Sequence, residues 1–224
     1  MIPDNQTPVL VTDFDGTITG IDFFVYVVQN YLEDLDLQPW RDYKAGKARH
    51  FEALCQIFSK VHISEKQMHE DILLIPFDQG FIETVKFCKK HDIKVYITSA
   101  GADFYIKKLL ESYNILNDVT IFSNESYYNS KEGLQMIKRK PGDLFFSDVF
   151  GIDKSKVIDA LKNDRTYVIF AGDGDSDHEP AMHADKIFAR KTLLEFCQDK
   201  DIAHTELREY TQILEYLNNA QTTA

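Results

Sequence analysis

The chain has 224 residues, 44% of them hydrophobic and 27% charged, which is the make-up of a folded protein and excludes a disordered or collagen-like one. The length exceeds the common single-domain size of about 100–150 residues, so a large domain or a domain carrying an insertion is expected. With 25 Lys and Arg against 36 Asp and Glu the formal charge is −11, a field that repels phosphate backbones and argues against a nucleic-acid partner.

The first apolar run, VLVT at 9–12, reads as a buried strand. Residues 20–76 contain no convincing strand and offer only helix-like stretches at 22–35 and 47–60. Ser64 and Gln67, later in the same region, have the spacing of a capping box that opens another helix. Phe81, Val85 and Cys88 then recur at helical spacing, and KVYIT at 94–98 reads as a second strand. A helix carrying Ile106, Leu109, Leu110 and Tyr113 precedes a third strand at 119–123. Residues 124–150, with turns at Gly133, Pro141 and Gly142, read as a hairpin or flap. A helix through Val157, Ile158 and Leu161, strands at 166–171 and 186–189, and a helix through Ile213, Leu214 and Leu217 complete the pattern, with 218–224 as a fraying tail. Strands alternating with helices predict an α/β fold, a Rossmann-like, doubly wound and mostly parallel sheet. The expected division is a core of 1–19 and 77–224 and an inserted helical cap of 20–76. Cys55, Cys88 and Cys197 are far apart and read as small buried hydrophobes of a reducing compartment. The apolar runs at 23–28 and 72–75 are far short of the ~20 residues of a membrane span, and the start lacks the pattern of a secretory signal. No membrane partner is expected, and the location expected is cytoplasmic.

The chemistry concentrates in DFDGTIT, directly after the first strand. Side chains two apart on an extended segment point the same way, so Asp13 and Asp15 are expected to share a site, beyond a strand's carboxyl end where open α/β sheets bind ligands. Gly16 and Thr17 form a loop whose N–H groups can face an anion. The strand at 166–171 runs into GDGDSD, which brings Asp173 and Asp177 to another strand end. Such a carboxylate cluster repels itself unless a cation neutralises it, and all-oxygen donors select Mg²⁺ over zinc or copper. Ser99 closes the second strand with a hydroxyl, and Lys154 supplies a positive charge at the start of a later helix.

These residues resemble the four motifs of the haloacid dehalogenase superfamily of phosphohydrolases: Asp13, Asp15, Gly16 and Thr17 in DxDGT, then Ser99, then Lys154, then Gly172, Asp173 and Asp177 in GDxxxD. The helical insertion looks like the type 1 cap of phosphoserine phosphatases and of the MtnX-type phosphatases, and VYITSAGADFY and KIFARKTLLEFC are similar to stretches of the latter. The resemblance implies a Mg²⁺-dependent phosphomonoesterase acting on a small phosphorylated metabolite. Asp13 would be the nucleophile that forms an aspartyl-phosphate and Asp15 the general acid and base. Ser99 and Lys154 would hold the phosphoryl oxygens. Asp13, Asp173 and the Asp15 carbonyl would hold the metal, with Asp177 on a metal-bound water or on Lys154. A phosphomutase, or a non-catalytic phospho-accepting or phosphate-binding module, is the alternative. Lys156 competes with Lys154 for the third motif. Asp22, Phe23, Thr17, Gly101 and Arg49 are weaker substrate candidates, with Asp22 equally at home as a helix N-cap and Phe23 as packing. Phosphoserine, phosphocholine or phosphoethanolamine, pyridoxal phosphate and the methionine-salvage enolphosphate all remain open as substrates, as does the choice of monomer or homodimer.

Overall fold

The computed structural model describes residues 2–222. Strand β1 (Thr7–Thr12) leads into a wholly helical stretch of α1 (Phe23–Tyr31), a 3₁₀ turn (Asp34–Leu37), α2 (Gln38–Lys44), α3 (His50–Phe58) and α4 (Glu65–Ile72). Helix α5 (Gln79–Lys90), β2 (Lys94–Ala102), α6 (Asp103–Ser112) and β3 (Thr120–Asn124) follow. Two small antiparallel pairs come next, β4 (Ser126–Asn129) with β5 (Gly133–Met136) and β6 (Phe146–Ser147) with β7 (Gly151–Ile152). The chain then alternates through α7 (Lys154–Leu161), β8 (Thr166–Gly172), α8 (His178–Met182), β9 (Lys186–Ala189), α9 (Lys191–Asp199), β10 (Thr205–Glu206) and α10 (Thr211–Thr222).

The six longer-range strands form one sheet in the order β10-β9-β8-β1-β2-β3, with every pairing parallel. Both faces are covered, as a parallel sheet requires, and strand periodicity divides the residues between them. Leu10, Ile169 and Ala171 face a core that also takes in Phe51, Ile57, Phe58, Met68 and Ile72 of α3 and α4. Their neighbours Val11, Val168 and Phe170 face the opposite way, onto Ile158, Ile187, Leu193 and Cys197. The first core is continuous from the sheet into the helical stretch, so α3 and α4 are welded to the sheet by apolar burial.

Several elements depart from the sequence reading. Five strands of the parallel sheet are expected and six are present among the described residues, because β10 is two residues long and carries no alternation to detect. Helix α2 is not expected at all: Pro39 breaks its pattern, yet a proline in the first turn costs no hydrogen bond. The helix expected over 22–35 stops at Tyr31, and the 3₁₀ turn takes over. The tail expected to fray stays helical to Thr222, while residues 223–224 lie outside the described residues. Ser64 does cap α4, accepting the Gln67 N–H at 3.1 Å. No helix among the described residues is long and apolar enough to cross a membrane.

Candidate active site

Strand order places the site. From β1 the chain builds outward through β2 and β3, then returns to add β8, β9 and β10 on the other side, so the winding direction reverses between β1 and β8. Ligands of open α/β sheets bind at the carboxyl edge of such a reversal. Thr12 stands opposite Ala171 of β8 and Ile97 of β2, so Asp13, Asp173 and Ser99 leave their strands at one edge. The Asp13 N–H donates to the Ala171 carbonyl at 2.8 Å, extending the ladder one residue into the site. Pairing of β2 with β3 is irregular between Thr98 and Ala102, around Ser99. Such irregularities re-aim side chains at sheet rims.

Lys154 is the hub of the charged cluster. It is 3% exposed, and its Nζ donates to Asp13 Oδ1 at 2.6 Å and to Asp177 Oδ1 at 2.7 Å. Burial alone would lower its pKa, but the two carboxylates reverse that and hold it above the ordinary lysine range. The competing Lys156 is exposed and bonds the Phe146 carbonyl instead. Asp177 Oδ2 accepts the N–H groups of Asp173 and Gly174, both at 3.0 Å, which fixes the GDGDSD loop. Thr17 Oγ1 donates to Asp13 Oδ2 at 3.2 Å, so both nucleophile-candidate oxygens are oriented. Ser99 Oγ accepts the Gly101 N–H at 3.0 Å, which leaves its hydroxyl hydrogen available to a ligand.

Asp15 points along a different set of partners. Its Oδ1 accepts the Phe23 N–H at 2.9 Å and its Oδ2 the Tyr105 hydroxyl. Burial, then the neighbouring Asp22 charge, pushes it up to about 7, the range of a group that gives and takes a proton near neutrality. Gly101 lets this happen, because a Cβ there would strike the Tyr105 hydroxyl and lie 2.9 Å from Asp15 Oδ2.

Asp13, Asp173 and Asp177, all buried, can each present one oxygen within 4.8 Å of the others. Burial holds Asp13 well above the ordinary carboxylate range against the pull of Lys154, with Asp177 and Asp173 adding to the rise. Burial and Asp177 likewise push Asp173 up to about 6. Carboxylates crowded so that they resist ionising, with oxygen as the sole donor type, fit a hard divalent cation.

Over this edge lies a cavity of about 300 Å³. Its floor is acidic and its opposite wall comes from α1, α2 and α3, with Phe24, Trp40, Tyr43, His50 and Phe58 turned inward. The rings pack in a chain: Phe24 on Trp40 at 4.2 Å, Trp40 on Tyr43 at 5.1 Å, Tyr43 on His50 at 5.2 Å, His50 on Phe150 at 5.2 Å. Burial, followed by the Lys154 and Lys44 charges, lowers His50 to about 4, so it serves this wall as a neutral ring. Lys44 closes the mouth, reaching Asp175 Oδ2 at 3.5 Å.

The weaker sequence candidates separate here. Thr17, Gly101 and Asp22 stand at the site. Asp22 holds the N-cap position of α1 but makes no capping bond, and its Oδ1 is buried without a partner among the described residues. Phe23 is 1% exposed, stacked on Tyr105 at 4.2 Å, and belongs to the core. Arg49 is turned to Asp148, away from the cavity, and does not join the site. In the basic run at 138–140, Lys138 pairs with Glu52 and Asp148, and Arg139 with Asp143. Trp40, Tyr43, Lys44, His50, Tyr105 and Lys191 line the cavity without having been expected there. Tyr105 is the third residue beyond β2, and that proximity is the signal the sequence offers for it.

A model of the haloacid dehalogenase-like hydrolases matches residues 10–182, and the chain belongs to that family. Two relatives are phosphatases of 2-hydroxy-3-keto-5-methylthiopentenyl-1-phosphate. That of Bacillus cytotoxicus is 28% identical over 206 residues, spanning 90% of this chain and 91% of its own. That of Bacillus pumilus is 27% identical over 210 residues, spanning 93% and 90%. A substrate-bound phosphoserine phosphatase shares the fold, with a TM-score of 0.67 at 17% identity over 94% of this chain and 98% of the other. The chain is therefore an enzyme of the phosphatase type within this family.

Proposed function

We propose that this enzyme hydrolyses the phosphate monoester of a small metabolite by way of an aspartyl-phosphate on Asp13, with Mg²⁺ as cofactor and α1–α4 acting as a cap. The observation that carries the reading is Lys154, a buried ammonium held between Asp13 and Asp177 with Asp173 beside them. Asp13, held by Lys154 and Thr17, attacks phosphorus and takes the phosphoryl group, dividing one difficult displacement into two. Asp15, aimed by Tyr105 and the Phe23 N–H, gives its proton to the leaving oxygen and then takes one from the water that attacks the phosphorus of the intermediate. Ser99 and Lys154 donate to the phosphoryl oxygens as charge builds on them. Asp13 and Asp173 would hold Mg²⁺, which when bound neutralises the carboxylates and the phosphate and so supports the displacement. Asp177 keeps Lys154 in place.

The ring wall supports a leaving group that is mostly apolar. Arg49 is not there to bind a carboxylate, which weakens the case for an amino-acid phosphate, and the thioether-bearing compound named for the relatives suits such a wall better. Turnover of an aryl phosphate with Mg²⁺ and after chelation tests the reaction class. Comparing kcat/KM for phosphoserine, phosphocholine and the methylthiopentenyl enol phosphate tests the leaving group. Metal-independent turnover, or none at all, would defeat the first reading, and a preference for phosphoserine would defeat the second.

A further inference from the structure

Lys191 belongs to none of the four motifs, yet its side chain enters the acidic edge. It opens α9 with φ of +47°, a left-handed conformation unfavourable for a residue bearing a side chain. The loop is pinned in that shape: the Arg190 N–H donates to the Gly172 carbonyl at 3.1 Å. The Leu193 N–H and Thr192 Oγ1 both donate to the Asp173 carbonyl, at 3.1 and 3.2 Å. So turned, Lys191 Nζ donates to Asp173 Oδ2 at 2.7 Å while half of the side chain stays exposed. Asp22 stands on the other side, with its Oδ1 buried and unpartnered among the described residues. All three groups converge over Gly16, where a Cβ would strike Asp173 Oδ2 and Lys191 Nζ and lie 2.7 Å from Asp22 Oδ1. With φ of +74°, Gly16 is a position that other residues rarely adopt.

Resting on the reading of Asp13 and Asp173 as ligands of a divalent cation, we propose that Lys191 is a tethered competitor of that cation, neutralising Asp173 in the metal-free enzyme and passing to Asp22 when the cation binds. Five carboxylates meet here (Asp13, Asp15, Asp22, Asp173 and Asp177), and Lys154 is locked to two of them in the interior. Among the described residues Lys191 makes its one ion pair with Asp173, and its stem is half exposed, so it can move. A divalent ion on Asp173 satisfies that carboxylate and repels the ammonium. Asp22, whose Oδ1 is buried without a hydrogen bond among the described residues and which already feels the Lys191 charge, is the acceptor that gains most from its arrival. The next residue, Phe23, gives its N–H to Asp15. The partner exchange therefore links metal loading to the entry of α1 and to the Asp15 carboxyl.

Calorimetric titration of the full chain with Mg²⁺ alone, at pH 8, decides the matter. Lys191→Met should bind Mg²⁺ about tenfold more tightly than the parent, the effect of removing one nearby charge from a half-exposed site. Lys191→Arg should stay near the parent. Asp22→Asn, which removes the second partner, should weaken binding several-fold, and this loss should vanish in the double variant with Lys191→Met. Unchanged or weaker Mg²⁺ binding in Lys191→Met would overturn the proposal and leave Lys191 a fixed brace for Asp173. Melting curves establish that each variant folds. Should Lys191→Met not fold, unchanged binding in Asp22→Asn would overturn the proposal by itself. A parent that binds no Mg²⁺ defeats the metal reading as well as this one, whereas a parent that binds as tightly as Lys191→Met defeats this one alone.

Discussion

The two ends of the cavity are built on different principles. At the carboxyl edge of the sheet, contacts are ionic and short: Lys154 to Asp13 at 2.6 Å, Asp177 to the Gly174 N–H at 3.0 Å, Lys191 to Asp173 at 2.7 Å. On the wall from α1, α2 and α3, ring meets ring at 4–6 Å with no hydrogen bond between the aromatic side chains, as in Trp40 on His50 at 5.6 Å. Hydrogen-bonded charges in a dry site have one good arrangement, because each misplaced partner leaves an uncompensated charge. Packed rings tolerate exchange of shape for shape. In the reaction proposed above, the edge would hold the chemistry fixed while the wall would set which leaving group is admitted.

If that division is right, the largest effect should come from the edge. Asp13→Asn should reduce turnover at least about 10³-fold, as loss of a nucleophile does. Its fold should persist, because Lys154 keeps Asp177 as a counter-charge while a self-repelling cluster loses one like charge. Activity within tenfold of the parent, with an unchanged melting temperature, would remove Asp13 from the role. Lys154→Met comes next. It strands Asp13 and Asp177 without a counter-charge, which should cost about 3–5 kcal/mol in urea unfolding at pH 8 with chelator present. The cost should shrink at pH 5, where the Asp13 carboxyl, already raised by burial, takes up a proton. A loss under about 1 kcal/mol at pH 8 would mean that the ion pairs contribute little beyond what apolar packing could supply.

The same division explains what the sequence makes legible. Asp13 and Asp15, or Asp173 and Asp177, lie close along the chain, and the strand before each pair is a run of apolar residues whose end is easy to see. The parallel register then brings those ends together without further instruction. The wall has no such signature. Trp40, Tyr43 and His50 sit on two short helices, one of them hidden by Pro39, and a ring facing a cavity has the same spacing as a ring facing a core. Asp22 misleads in the opposite sense: it has the position and chemistry of an N-cap but makes no capping bond. Lys191 stays hidden because its contact depends on a left-handed backbone, which no residue-type pattern around it announces.

A smaller effect should come from the wall itself. Trp40→Ala removes an indole that packs on Phe24 and Tyr43, and full burial of a large side chain against a ligand is worth about 1.5–3 kcal/mol, or roughly tenfold to a hundredfold in kcat/KM. The loss should fall mainly on KM for a bulky aryl phosphate. Inhibition by inorganic phosphate, which needs only the edge, should be unchanged. If the phosphate inhibition constant moves as far as KM, wall and edge are not separable.

The smallest expected effect tests whether His50 is a ring or a base. Its pKa is lowered from 6.5 to about 4, first by burial and then by the Lys154 and Lys44 charges, with Asp175 opposing. The unfolded chain therefore binds a proton between pH 6.5 and 4 that the folded chain refuses, so stability must rise with pH across that window. The His50 contribution is fully present above pH 6.5 and is lost progressively as pH falls towards 4. Because the ring is only partly withdrawn from the cavity, about 1 kcal/mol between pH 7 and pH 5 is a fair discounted magnitude. His50→Phe keeps the contacts to Tyr43 and Phe150 and removes the titrating nitrogen. Urea unfolding at pH 7 and at pH 5, with chelator present, should show the variant losing less stability on acidification than the parent by that amount. Parallel losses would mean that the folded enzyme takes up the His50 proton as readily as the unfolded chain, and the wall would then present a charge to the leaving group at pH 5 instead of a neutral ring.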